Sequence, residues 1–190
     1  MANEFTATQG MDKILFLRKL ADAANKDAMR LSLQTTHTLT VSSDSDSTAT
    51  KDGNVNTISP AETELEVENL ASADETNDLL WDSVENHEKV EAWEVDLSRK
   101  NDAGQYYAKY MQGVVNEMES DNDADDNSTG DASFSIDGIP QRGWVTLTEE
   151  TKAALAYAFR GLKALTDDDS NGGGVSAEDY EKEQATDPKS

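Results

Sequence analysis

A chain of 190 residues with 36 % hydrophobic residues is enough for one domain with a proper core plus polar tails, but hardly for two full domains. Sixteen Lys and Arg against 39 Asp and Glu leave a net charge of −23, and such a surface repels phosphate backbones and anionic membranes, which argues against nucleic-acid or membrane binding. Cysteine is absent, so a disulfide scaffold, a cysteine nucleophile and thiolate metal sites are all excluded, in keeping with a reducing cytoplasm.

No apolar run approaches the length of a membrane span, and the opening "MANEFTATQGMDK" lacks the apolar region of a signal peptide, so export by that route is not indicated. Part of the charge is segregated. Residues 117–131, "EMESDNDADDNSTGD", hold seven acids and no base, and residues 166–190 hold eight acids and two bases. Setting aside those seven and the second segment's net −6 still leaves −10.

Along the chain the dominant period is two. "KILFLRKL", 13–20, reads as an opening strand. Met29, Leu31, Leu33, Thr35, His37, Leu39 and Val41 then alternate with polar residues, which predicts one long strand over 29–41 with Met29, Leu31, Leu33, Leu39 and Val41 buried. The polar stretch "SDSDSTATKDGN", 43–54, contains no large apolar residue and reads as a long loop. Such a loop is either a dispensable connection or a contact with something outside the subunit. "ETELEVENL", 62–70, alternates again, with Leu65 and Val67 on one face and Glu62, Glu64, Glu66 and Glu68 on the other.

A helix interrupts the strands at about 72–86, read from a Ser72/Glu75 capping box and from Leu80 and Val84 one turn apart beside Trp81. "VEAWEVDL", 90–97, returns to alternation with Trp93, Val95 and Leu97 on one face. "YYAKYMQGVV" (106–115), "ASFSI" (132–136) and "WVTLT" (144–148) complete the set, the last two separated by the turn "DGIPQRG". After 149 the stripe Leu155, Phe159, Leu162 favours a short C-terminal helix, with Thr146 and Glu149 as its cap, over the strand alternation Leu155, Tyr157, Phe159. Strands in succession without alternating helices predict a mainly β fold, an antiparallel sandwich or barrel.

Catalytic motifs are missing. There is no Gly-x-Ser-x-Gly elbow, no phosphate-binding glycine loop and no His-Glu-x-x-His, and His37 sits mid-strand like a satisfied core residue, while His87 lies just past the helix. No catalytic residue and no cofactor is therefore expected. Trp81, Trp93 and Trp144 fall at patterned apolar positions or strand starts, the signature of packing. "DDDSNGGGVSAE" meets the calcium-loop formula through Asp167, Asp169, Asn171, Gly172 and Glu178. Gly174 replaces the usual hydrophobe and Pro188 interrupts the closing helix, so a flexible acidic tail is the better reading.

Taken in order, "DSDSTATKDG", "VEAWEVDL", "YYAKYMQGVV" and "QRGWVTLT" resemble the major tail tube proteins of long-tailed bacteriophages that infect Gram-positive bacteria, from about residue 10 to about residue 165. The resemblance implies a two-sheet β-sandwich flanked by a helix, and a division into an N-terminal arm (1–10), a tail tube β domain (11–165) and an acidic tail (166–190). It implies hexameric rings stacked into a tube that conducts DNA without specific binding. It further implies tail terminator, tape measure and distal tail proteins as partners, a place in the virion tail, and assembly in the host cytoplasm. The long loop, through Asp44, Asp46, Thr48, Thr50, Lys51, Asp52 and Gly53, would contact the neighbouring ring. Glu62, Glu64, Glu66 and Glu68 are candidates for the lumen wall, weighed against a plain solvated face. The competing expectation is an acidic β-sandwich decoration or binding module, with dependence on calcium as its variant.

Overall fold

The core is assembled from stretches far apart in the sequence. "KILFLRK" forms β1 (Lys13–Lys19), and Leu15 and Leu17 are fully buried on one of its faces. Its neighbours are β2 (Met29–Arg30) on one side and β7 (Val90–Lys100) on the other, with Leu15 opposite Glu94 and Leu17 opposite Ala92. The computed structural model describes residues 9–148 and 151; those up to Thr146 form one unit, to which all the strands and the helix belong.

The remaining strands are β3 (Gln34–Ser42), β4 (Ser45–Thr50), β5 (Gly53–Ile58), β6 (Glu62–Leu70), β8 (Tyr106–Asp121), β9 (Thr129–Ile136) and β10 (Gln141–Val145). Among the described residues the hydrogen-bonded order is β2-β1-β7-β8-β9-β6-β3, antiparallel throughout, with β10 also on β8, while β4 and β5 pair only with each other.

Strand β8 is the pivot. Up to Gly113 it pairs with β7, and from Gly113 onward with β9. A side chain at Gly113 would put its Cβ 2.2 Å from the Ser135 carbonyl oxygen, so glycine is required where the strand changes partners. The result is two sheets that share one strand, β2-β1-β7-β8-β10 and β8-β9-β6-β3. Their inner faces meet in one core: Leu15, Leu17, Ala92 and Met111 from the first, and Leu65, Val67, Ala132 and Phe134 from the second. Each fully buried Leu or Phe contributes about 1.5–3 kcal/mol. This is the mainly β, two-sheet arrangement that the strand patterns predict.

The flanking helix α1 (Glu75–Asn86) buries Leu79 and Leu80 against that core. It starts at Asp74, whose carboxylate accepts the backbone N–H groups of Thr76 and Asn77, and Ser72 donates its hydroxyl to Asp74. The Ser72/Glu75 capping box is thus corrected by two residues. Asp74 is the better cap because a carboxylate both satisfies orphan donors and faces the positive end of the helix. Inside α1, Ser83 accepts the Val115 backbone N–H, which a β-bulge between Val115 and Glu117 removes from the ladder.

Further expectations change, including that of a packed Trp144, which is 44 % exposed. The strand over 29–41 is broken: Leu33 takes a left-handed φ of 49° and β3 begins only at Gln34. Leu31 stays buried, but Leu33 and Val41 are 56 % and 50 % exposed, so the strict alternation of the sequence runs across a turn. Trp93 faces away from the core cluster, since Val90 and Ala92, of opposite parity, are the β7 residues within it. The stretch over 43–54 belongs to a β-hairpin, not a loop. The expected C-terminal helix, the acidic tail and the calcium-loop formula at Asp167, Asp169, Asn171 and Glu178 lie outside the described residues.

Candidate functional site

The expected Glu62, Glu64, Glu66 and Glu68 row is real as geometry: these side chains alternate with buried Thr63, Leu65, Val67 and Asn69 along β6. Cross-strand register then assembles a wider face, which the sequence pattern alone does not reveal. Glu66 lies beside Thr38 on β3 and Ser133 on β9, which is opposite Glu117 on β8. In the next row Thr36, Glu68, Asp131 and Glu119 stand side by side. Residues of these two rows line an open groove of about 320 Å³. Glu62, Glu64, Glu66, Glu68, Glu117, Glu119, Asp121 and Asp131 share the face, with no Lys or Arg among its strand positions.

In the sequence, Glu117, Glu119 and Asp131 read only as part of a segregated acidic segment. The signal that could have found them is a second alternation, acids at 117, 119 and 121 against Met118 and Ser120, leading into Ala132 and Phe134 against Asp131 and Ser133. The same strands leave two edges open. Among the described residues β3 pairs only with β6, and beyond Gly113 β8 is flanked by β9 alone. Four strands of alternating direction place these edges antiparallel to each other. Unpaired backbone donors and acceptors on both sides of one sheet make a template for further strand pairing, which soluble monomers ordinarily block.

A polar tie sets where β3 lies. The Leu15 N–H donates to Gln34 Oε1 at 3.2 Å, which turns the Gln34 amide nitrogen toward His37 Nδ1. In the neutral ring the proton is then on Nε2, 3.3 Å from Glu94 Oε2, to which it donates. Lys109 Nζ and Lys13 Nζ stand 2.8 Å and 3.8 Å from Glu94 Oε1. Burial pushes the Glu94 carboxyl upward, but the hydrogen bonds from His37 and Lys109 and the charges of Lys109 and Lys13 outweigh it and hold the group at about 2. His37 is therefore a structural cross-tie from β3 to β7.

The hairpin β4–β5 projects between β3 and β6 and is exposed along its whole length. Asp46 and Thr48 face the same side as Val55 and Thr57, and Lys51 and Asp52 form the tip. Thr50 Oγ1 accepts the Asp52 N–H and donates to the Gly53 carbonyl, and Gly53 takes a φ of 129° to close the turn. The Asp44 carbonyl accepts the Ser59 N–H at the base. Val55 and Ile58 are 56 % and 70 % exposed. Among the described residues no cluster of three His, Asp or Glu side chains is arranged for a metal ion.

A β-sandwich with an open-edged acidic sheet and a projecting hairpin has the features of a structural subunit. Comparison with known proteins gives the particular family. Residues 7–142 match the phage tail tube protein family, so the chain belongs to it, as a structural protein of the virion tail. A tail protein of Staphylococcus phage phiMR25 is 30 % identical over 154 residues, 78 % of this chain and 79 % of that one. The SPP1 tail tube subunit has a similar fold, with a TM-score of 0.68 at 15 % identity over 85 % of this chain and 92 % of that one. A subunit from the tail of a gene transfer agent particle, refined with sixfold symmetry, aligns at a TM-score of 0.56 and 7 % identity over 74 % of this chain and all of that one.

Proposed function

We propose that the protein forms hexameric rings whose β8-β9-β6-β3 sheets join edge to edge into one barrel, with the acidic face lining a conduit for DNA. The observation that carries this reading is the coincidence, on one four-stranded sheet, of two antiparallel open edges and a face without a base. Rotation about an axis along the strands keeps strand directions, so the β3 of one copy meets the distal β8 of the next in antiparallel pairing. Six copies of four strands, at about 4.8 Å each, give a wall roughly 37 Å across between backbones before any tilt, wider than a DNA duplex. Carboxylates on that wall repel phosphates, so DNA passes without being held.

The β4–β5 hairpin, through Asp44, Asp46, Thr48, Thr50, Lys51, Asp52 and Gly53, serves as the contact to the adjacent ring. A two-stranded hairpin with both faces in water is marginal alone, and Val55 and Ile58 gain a partner in a stack. Terminator, tape measure and distal tail proteins cap and fill the tube, and rings form in the host cytoplasm before the tail is complete. Residues 11–165 act as the tube domain, between an N-terminal arm and an acidic tail.

Electron microscopy of the purified protein tests the reading. Stacked rings with sixfold end views are expected, and a monomer at every concentration, or rings of another symmetry, overturns it. Replacing 43–53 with a short Gly-Ser link should leave a folded subunit, judged by circular dichroism, that makes rings but no long tubes.

A further inference from the structure

Resting on the ring reading above, we propose that Thr36, Thr38, Thr40 and Ser42 of β3 form a hydroxyl ladder that receives the carboxylates of Glu117, Glu119 and Asp121 from the adjacent copy. The four side chains point to the acidic face, are exposed, and occupy its outermost column on an open edge. They are also the column without charge. The β6 column is all Glu over residues 62–68 at this face, and the β8 column carries Glu117, Glu119 and Asp121.

The order of columns matters at a seam. When the distal β8 of one copy lies beside β3 of the next, the hydroxyl column falls between two acid columns. Were β3 acidic, three adjacent strands would set like charges directly opposite each other, an arrangement that destabilises a sheet. With Thr there, the nearest acid columns stand about 10 Å apart, two strand spacings, close to the screening length at physiological salt.

The subunit already sets these residue types side by side, as cross-strand neighbours and not as hydrogen-bonded side chains. On its bonded side the same ladder faces Glu in every row: Thr36 opposite Glu68, Thr38 opposite Glu66, Thr40 opposite Glu64 and Ser42 opposite Glu62. The seam repeats that hydroxyl-to-carboxylate register on the other side. Each O–H donates to a carboxylate oxygen, a charge-assisted bond for which valine, of the same shape, offers no donor. The reach is adequate too: β3 has nine residues, and residues 117–121 of β8 lie past the Val115 N–H that Ser83 occupies.

Cysteine pairs test the seam directly, because the chain has no cysteine of its own. Thr38→Cys is combined in turn with Glu117→Cys, Glu119→Cys or Asp121→Cys, and assembled tubes are mildly oxidised. Within one copy the two positions lie three strand spacings apart, about 14 Å, beyond disulfide range, so any bond links neighbours. At least one pair is expected to give a ladder reaching six linked chains on a non-reducing gel. In parallel, a triple Thr36→Val, Thr38→Val, Thr40→Val variant should lose tube yield at least tenfold at an unchanged melting temperature, and the matching Thr→Ser variant should regain it. Well-formed tubes without any ladder overturn the seam and leave the tube reading standing. A ladder together with normal tubes from the valine variant keeps the seam and overturns the role of the hydroxyls. If the wild-type chain makes no tubes at all, the ring reading fails, and this inference with it.

Discussion

In the sheet built on β1, β7 and the start of β8, the buried Glu91 and Glu94 are held by cations, whereas the sheet of β3, β6, β9 and the end of β8 holds eight carboxylates and, among the described residues, no base on its open face. Arg18 grips Glu91 Oε2 with Nε and Nη2, both at 2.7 Å, and Tyr110 donates to the other oxygen of Glu91. Lys109 and Lys13 flank Glu94, while Lys19 reaches Asp82 and Glu88 from β1. Net charge says little until it is placed. One sheet uses its ionic groups to hold the subunit together, and the other leaves them without a cation among the described residues.

This contrast predicts that damage to the first sheet is read as lost stability and damage to the second as altered assembly. The shared strand should break both, and most severely. Gly113→Ala forces a backbone shift where β8 changes partners, with an expected loss of about 3 kcal/mol or more in chemical denaturation, and no tubes.

Next comes Glu94→Gln, which leaves Lys109 and Lys13 facing a neutral buried amide and should cost about 2–4 kcal/mol. The pH dependence follows from the sign of the shift. The Glu94 carboxyl lies at about 2 when folded, below its ordinary value of 4.5, so its contribution is complete above about pH 5 and is lost as the pH falls toward 2. Thermal melting of the wild type should fall across that window, and the Gln variant should show a shallower decline. An unchanged slope would mean that the tie from β3 to β7 does not depend on this charge.

A smaller effect is expected at Ser83→Ala. It strands the Val115 N–H at the bulge without a partner, for about 1–3 kcal/mol by denaturant melting. Smallest in stability, and most telling for the comparison, is the quadruple Glu→Gln change at 62, 64, 66 and 68. The subunit should shift by no more than about 0.5 kcal/mol per site, since the groups are largely exposed. Tube formation, followed by light scattering, should speed up and lose much of its dependence on added salt. Unaltered assembly kinetics would show that the row does not face its own copies.

Much of the fold is legible in the residues. β1, β6 and the start of β8 follow their apolar patterns because each buries side chains in the core, and the wide polar gap after Val41 marks the projecting arm. What misleads is local. Leu33 keeps the alternation of 29–41 in letters while its left-handed backbone turns the chain, a conformation that the identity of a single residue does not announce. The hairpin escapes because both of its faces are wet, so period two carries no apolar signal there. The acids of β8 and β9 look like a solvated turn because their role comes from lateral register with β6, information held by pairing between strands far apart in the chain.

The order in which these strands occur along the chain has a consequence for synthesis. The β3 edge is backed by β6 once Leu70 has been made, but the complementary edge of β8 needs β9, which ends at Ile136. At roughly 5–20 residues per second, one edge precedes the other by about 3 to 13 s on the ribosome. Nascent chains on a crowded polysome therefore display only one half of the joint for that interval. Two unfinished copies present the same β3 edge, each fringed by a row of glutamates that repel, and neither offers the β8 partner. On the proposed ring reading, the late position of β9 would hold polymerisation back until both edges of the sheet are made.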